Sequence, residues 1–169
     1  MHLQFQSLTV CDIERQTPDS VAISFELPGD DAEAFAFRPG QYVTLRTVID
    51  GQEIRRPYSI CCTLGIGRLR VGVKQVEGGV FSTFVNEKLS AGDIIEVMPP
   101  EGRFGVDIGG SHDYLLVAAG SGITPILAIA RSVLEREPKS NVTLVFGNRA
   151  TGSIMFLEEL EDLKDRFLG

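Results

Sequence analysis

The feature that most constrains this chain is a change of hydrophobic period at Gly109-Gly110-Ser111. Before it, apolar and β-branched residues alternate in short runs; after it, solid apolar runs alternate with amphipathic stretches. Strand side chains repeat with period two and helix side chains near 3.6, so the two textures in series require two kinds of layer. Residues 8–15, 21–27, 41–49, 54–60, 69–76 and 93–98 read as strands. Turn signals separate them at Pro28-Gly29-Asp30, Pro39-Gly40, Asp50-Gly51, Gly65-Ile66-Gly67 and Ala91-Gly92-Asp93. Strands this short and this regularly spaced predict an all-β antiparallel six-stranded barrel over residues 1–108. One helix, over 81–89, follows Gly78-Gly79. From residue 113 to 169 the order is strand 114–119, helix 123–137 stopped by Pro138, strand 142–146 and helix 154–167. That order is the start of an α/β Rossmann-like nucleotide domain, whose apolar strands suit cover by helices on both faces, although with only these elements one sheet face is expected to lack its helices.

Charge excludes one class of function. Sixteen basic against 23 acidic residues give −7, with no Lys/Arg stripe, so nucleic acid is not an expected partner. The apolar runs are too short to span a bilayer, and Met1-His2-Leu3-Gln4-Phe5 has no basic, long-cored leader, so neither membrane nor secretion is expected. Cys11, Cys61 and Cys62 lack metal-ligand spacing and read as small buried hydrophobes of a cytoplasmic protein, with no metal site.

Four stretches carry chemistry-bearing residues. Asp50-Gly51 is a hairpin signal that puts Arg56-Pro57-Tyr58-Ser59 on the returning strand. Arg56 and Tyr58 then share a face, presenting a forked cation and a flat ring, while Ser59 adds a small donor. Such a set suits a ligand with a planar ring at one end and a diphosphate at the other. Gly78-Gly79-Val80-Phe81-Ser82-Thr83 opens the barrel's helix, where free N–H groups and two hydroxyls favour an anion; Val73 and Lys74 on the neighbouring strand read as a wall of the same site. Gly120-Ser121-Gly122-Ile123-Thr124-Pro125 lies between a buried strand and a helix, with Thr124 as N-cap and Pro125 in the first turn. It lacks the third glycine of a full dinucleotide fingerprint. Asn148-Arg149 ends the next strand, where an acidic residue would mark a free ribose hydroxyl; an arginine there suits a 2′-phosphate or is simply an exposed loop cation.

In order, Phe37-Arg38-Pro39-Gly40-Gln41-Tyr42, Arg56-Pro57-Tyr58-Ser59, Gly79-Val80-Phe81-Ser82, Pro100-Glu101-Gly102-Arg103-Phe104 and Ala119 to Pro125 resemble the motifs of the ferredoxin–NADP reductase superfamily. Arg55 to Cys61, Val73 to Gly79 and Phe146-Gly147-Asn148-Arg149 resemble most the reductase components of phenylacetyl-CoA epoxidase systems. The resemblance implies FAD in the barrel: Arg56 on the pyrophosphate, Tyr58 stacked on the isoalloxazine, Ser59 near its N5, and Gly79 to Thr83 on the rest of the diphosphate. It implies NADPH or NADH as electron donor at Gly120 to Pro125, with Thr124 where nicotinamide and flavin meet. Tyr58, Ser59 and Thr124 would then border the hydride transfer, whose chemistry is the cofactors' own.

The implied function is an FAD-dependent oxidoreductase passing electrons from NAD(P)H to an iron–sulfur centre and an oxygenase, in phenylacetate or related aromatic catabolism. The alternatives are a flavin reductase or flavohaemoprotein-type reductase with another acceptor, and a non-catalytic flavin-binding protein that only relays electrons within a complex. Members of the superfamily continue through further strands, and the epoxidase reductases add a plant-type [2Fe–2S] domain. The chain is therefore expected to be incomplete for turnover, with the cluster present only in a longer form, and to self-associate through its unfinished sheet.

Overall fold

The computed structural model describes residues 4–27, 29, 33–63 and 67–167. The turn residues Pro28, Asp30, Gly65 and Ile66 lie outside that set. Six strands, β1 (Gln6–Thr17), β2 (Ser20–Glu26), β3 (Tyr42–Ile49), β4 (Gln52–Ser59), β5 (Arg68–Lys74) and β6 (Ile94–Val97), pair antiparallel in the order β4-β3-β6-β1-β2-β5. An isolated bridge between Ile60 and Val71 joins the two ends of that order and closes the barrel. Asp50 and Gly51 turn β3 into β4 with φ of 50° and 78°, the two positive values that a type I′ hairpin needs.

Alternation decides which side chains fill the barrel. On β5, Leu69, Val71 and Val73 are wholly buried, packing with Leu8, Val10, Ile23, Phe25, Val43, Leu45, Ile95 and Val97. Helix α1 (Val80–Glu87) drives Phe81 and Val85 into the same core. Asn86 holds α1 in place: its Nδ2 donates to the Ser82 carbonyl at 2.9 Å and the Val73 carbonyl at 3.3 Å, while Arg15 donates to its Oδ1 at 3.1 Å. Cys61 and Cys62 are buried as read from the sequence, but Cys11 is exposed, because it sits on an outward position of β1.

The second unit has two parallel strands, β7 (Asp113–Ala119) and β8 (Asn141–Gly147), paired in register from Asp113 with Asn141 to Ala119 with Gly147. Helices α2 (Ile123–Arg136) and α3 (Leu157–Arg166) follow them. Among the described residues one face of this two-stranded sheet carries no helix, as expected. Leu116 and Ala118 pack against α2 and α3, whereas Leu115, Val117 and Val145 are 68%, 64% and 53% exposed. Both helices lie on one side of the sheet, so the apolar run alternates in burial although it does not alternate in chemistry.

Helix α3 begins later than its apolar pattern suggests. Residues Thr151–Ser153 form a 3-10 turn, and Phe156 takes a left-handed φ of 59° before α3 starts. Phe156 and Met155 are buried with Ile123, Leu127 and the barrel residues Ala22 and Cys61, a contact that outweighs local helix propensity. At the other end of the unit, Glu137 is buried and accepts from Ser140 Oγ at 2.5 Å, Gly109 N–H at 2.6 Å and Tyr114 OH at 3.0 Å. These bonds tie the connecting glycines to the end of α2. They also hold the Glu137 carboxyl below the usual carboxylate range, the Ser140 hydroxyl foremost and against the opposing effect of burial.

Candidate functional site

A cleft of about 520 Å³ opens between the barrel and the first turn of the α/β unit. β4 brings Arg56, Pro57, Tyr58 and Ser59 to it, β5 brings Gly72 and Lys74, and the start of α1 brings Gly79, Phe81 and Ser82. From the α/β unit come Ser121, Gly122, Thr124 and Pro125. Two loops separated by more than forty residues thus face one volume, because the closing bridge at Ile60 and Val71 lays Ser59 beside Gly72.

The barrel side is built for a flat anionic ligand. The Tyr58 ring is half-buried and backed by Phe81, with centroids 5.8 Å apart and planes tilted by 33°. Burial pushes its phenol up to about 12, so it stays a neutral donor with a flat apolar face. Arg56 is exposed, and its guanidinium donates to the Arg55 carbonyl at 2.7 Å. Among the described residues Arg56 forms no ion pair, whereas Arg46, Arg55, Arg70 and Arg131 each hold a carboxylate. The first helical bond of α1 runs from Thr83 N–H to the Gly79 carbonyl at 2.9 Å, leaving the N–H groups of Val80, Phe81 and Ser82 without intrahelical partners. Lys74 stands 3.4 Å from Asp19.

Several residues singled out in the sequence play a different local part. Val73 points into the barrel core and does not line the cleft. Ser82 Oγ accepts from Val76 N–H at 3.0 Å and donates to the Gly79 carbonyl at 3.1 Å, so it shapes the loop. Thr83 accepts from Gln75 Nε2 at 3.3 Å and does not line the cleft, and Val80 projects outward. Ile123 is wholly buried in the second core. Thr124 is not the N-cap. A 3-10 turn over Gly120–Gly122 runs straight into α2, so the chain is already helical at Ile123 and Thr124 Oγ1 donates back to the Ser121 carbonyl at 3.0 Å. Pro125 keeps its place in the first turn. Asn148 and Arg149 follow β8 at the same end of the sheet as Gly120, since Ala119 pairs with Gly147. Arg149 is exposed, and Asn148 Nδ2 is a buried donor with no partner among the described residues. Gly72 and Val76 also line the cleft and were missed; a glycine inside a strand was the available signal.

A family description of the oxidoreductase FAD-binding domain matches residues 7–105, and one of the oxidoreductase NAD-binding domain matches residues 116–167. The chain is 47% identical over 165 residues to one component of the 1,2-phenylacetyl-CoA epoxidase of Escherichia coli K12, covering 96% of this chain and 46% of that protein. The chain belongs to the ferredoxin–NADP reductase superfamily. Within it, a cytochrome P450 reductase of Amycolatopsis superposes with a TM-score of 0.80 at 30% identity, over 98% of this chain and 50% of that one. Phthalate dioxygenase reductase, described as modular for electron transfer from pyridine nucleotides to [2Fe–2S], gives 0.76 at 29% identity over 92% and 47%. The chain spans about half the length of each of these three proteins. Its barrel and its α/β unit are the FAD-binding and NAD-binding parts of the superfamily fold.

Proposed function

We propose that this chain is the cofactor-binding part of an NAD(P)H-dependent flavoprotein reductase that delivers electrons through an iron–sulfur centre to an oxygenase, in phenylacetate or related aromatic catabolism. The observation that carries the reading is the single cleft shared by Arg56, Tyr58 and Ser59 on one wall and Ser121, Gly122 and Thr124 on the other. The residues fit FAD: an arginine without a carboxylate partner among the described residues, a flat ring backed by Phe81, and three N–H groups at a helix start without intrahelical partners. Arg56 and the α1 N-terminus hold the pyrophosphate, and Tyr58 and Ser59 orient the flavin ring. The loop from Gly120 to Pro125 receives the pyridine nucleotide, and Thr124 closes its inner end. Arg149 beside the end of β8 suits a 2′-phosphate, which favours NADPH. The flavin supplies the two-electron to one-electron conversion; the protein aligns the rings and excludes water. Likeness to the epoxidase component and to phthalate dioxygenase reductase supports this choice of acceptor.

An absorbance spectrum of the purified chain with release of its cofactor tests the reading directly, and absence of flavin refutes it. Arg56→Ala should weaken FAD binding about ten- to a hundredfold, the worth of charge-assisted contacts to a phosphate, with apo-protein stability unchanged because Arg56 is exposed. Unaltered FAD affinity in that variant removes Arg56 from the pyrophosphate.

A further inference from the structure

β5 crosses between the two units and turns one face to each. Leu69, Val71 and Val73 fill the barrel, while Arg70, Gly72 and Lys74 face the α/β unit and the cleft. Arg70 donates to Glu14 of β1 at 2.6 Å and to Glu159 of α3 at 2.7 Å, and lies 5.2 Å from the centre of the Phe156 ring. Glu159 also accepts from Arg131 of α2 at 2.9 Å, and Phe156 N–H donates to Gln16 of β1 at 3.2 Å. Barrel and α/β unit are therefore clamped next to Gly72.

At Gly72 itself there is no room. A β-carbon built there would lie 2.6 Å from Thr124 Cγ2, 3.0 Å from Phe156 Cζ and 3.1 Å from Met155 Cε. Its φ is outside the left-handed region, so backbone freedom does not explain the glycine; the close approach does. Thr124 cannot turn its methyl aside freely, because Oγ1 is committed to the Ser121 carbonyl at 3.0 Å. Nor can Phe156 retreat easily while Gln16 and Arg70 hold it. The methyl of Thr124 thus rests on the backbone of β5, and the Ile60–Val71 bridge lays Ser59 beside that point.

We propose that Gly72 is a positioning residue for the paired cofactors: its missing side chain lets Thr124 close against β5 beside Ser59, and this sets how far the Gly120–Pro125 loop stands from Tyr58. The inference rests on the cofactor reading above. It does not touch the pyrophosphate contacts at Arg56 and α1, so a bulkier residue should disturb the ring end of the cleft and spare FAD affinity.

The test compares the parent, Gly72→Ala, Thr124→Ser and the double variant, each loaded with FAD. Thr124→Ser keeps the hydroxyl bond to Ser121 and removes the methyl that an alanine would strike. Gly72→Ala should raise amide hydrogen exchange over residues 121–126 by about tenfold, as overpacking does when a neighbouring segment must give way. It should also shift the visible bands of bound flavin while its FAD dissociation constant stays within about threefold of the parent's. The double variant should bring both readouts most of the way back to those of Thr124→Ser, the remainder coming from the alanine's contacts with Phe156 and Met155. A purely structural lesion would not leave FAD affinity intact, alter the flavin spectrum and be repaired by deleting one methyl across the contact. Parent-like exchange and spectrum in Gly72→Ala overturn the inference, as does a double variant no closer to Thr124→Ser than Gly72→Ala is. Should Gly72→Ala alone fail to fold, the double variant against Thr124→Ser decides: exchange within about threefold supports the contact, and a larger rise refutes it. A parent that takes up no FAD sinks the cofactor reading and this inference together; a parent that binds FAD while Gly72→Ala is silent sinks this inference alone.

Discussion

Phe156→Ala should weaken the α/β unit while leaving the barrel core closed. The ring is 1% exposed and belongs to the second core, with Ile123, Leu127, Met155 and Leu163 and the barrel's Ala22 and Cys61. Truncating such a ring costs about 3–5 kcal/mol in lost transfer energy and residual cavity. Arg70, at 5.2 Å from the ring centre, adds about 0.5–1 kcal/mol of cation–π attraction that is lost as well. For a chain of this size, each kcal/mol corresponds to about 2–4 °C, so the midpoint of the transition that includes α2 and α3 should fall by roughly 7–24 °C. The barrel cluster around Phe25, Val43 and Val71 shares no member with the cluster around Phe156. Peptide-resolved hydrogen exchange during urea titration should therefore show β7, α2 and α3 opening before β1, β2 and β5. A loss below about 1 kcal/mol, less than any buried aromatic truncation of this kind, would refute the argument, as would equal acceleration in barrel and α/β peptides.

Glu137 has a depressed folded pKa, so its contribution to stability is present above the unfolded carboxylate value near 4.3 and is lost as pH falls through the lower folded value. Glu137→Gln should flatten the acid limb of a urea-midpoint titration between about pH 5 and pH 3, and an unchanged slope would exclude the carboxylate as its source. We also propose that the exposed face of Leu115, Val117 and Val145 supports self-association; sedimentation velocity on the chain and on Val117→Lys should show the variant less associated, and a parent that stays monomeric at high concentration removes the proposal.

Each barrel strand was legible in the sequence because local signals agree with the tertiary result. Alternating residues such as Leu69, Val71 and Val73 can satisfy only a one-sided core, and Asp50-Gly51 permits only a tight hairpin. Arg56, Tyr58 and the glycine loops were likewise visible, since their chemistry lies in residue type and short spacing. The sequence by itself thus determined the two textures, the hairpin that carries Arg56-Pro57-Tyr58-Ser59, and the two loops able to receive phosphates. What it could not determine depends on partners distant along the chain. A uniformly apolar run such as 114–119 carries no record of which face the helices cover, so the exposure of Leu115 and Val117 appears only once α2 and α3 are placed. Thr124 reads as a cap by type, yet the 3-10 turn ahead of it starts the helix earlier and hands its hydroxyl to Ser121. Phe156 carries helix-compatible chemistry but is held at a left-handed φ by Gln16, Arg70 and the barrel wall. The narrowness of the gap at Gly72 is likewise a tertiary fact, because it arises where a barrel strand and a helix start from different parts of the chain compete for the volume of one methyl group.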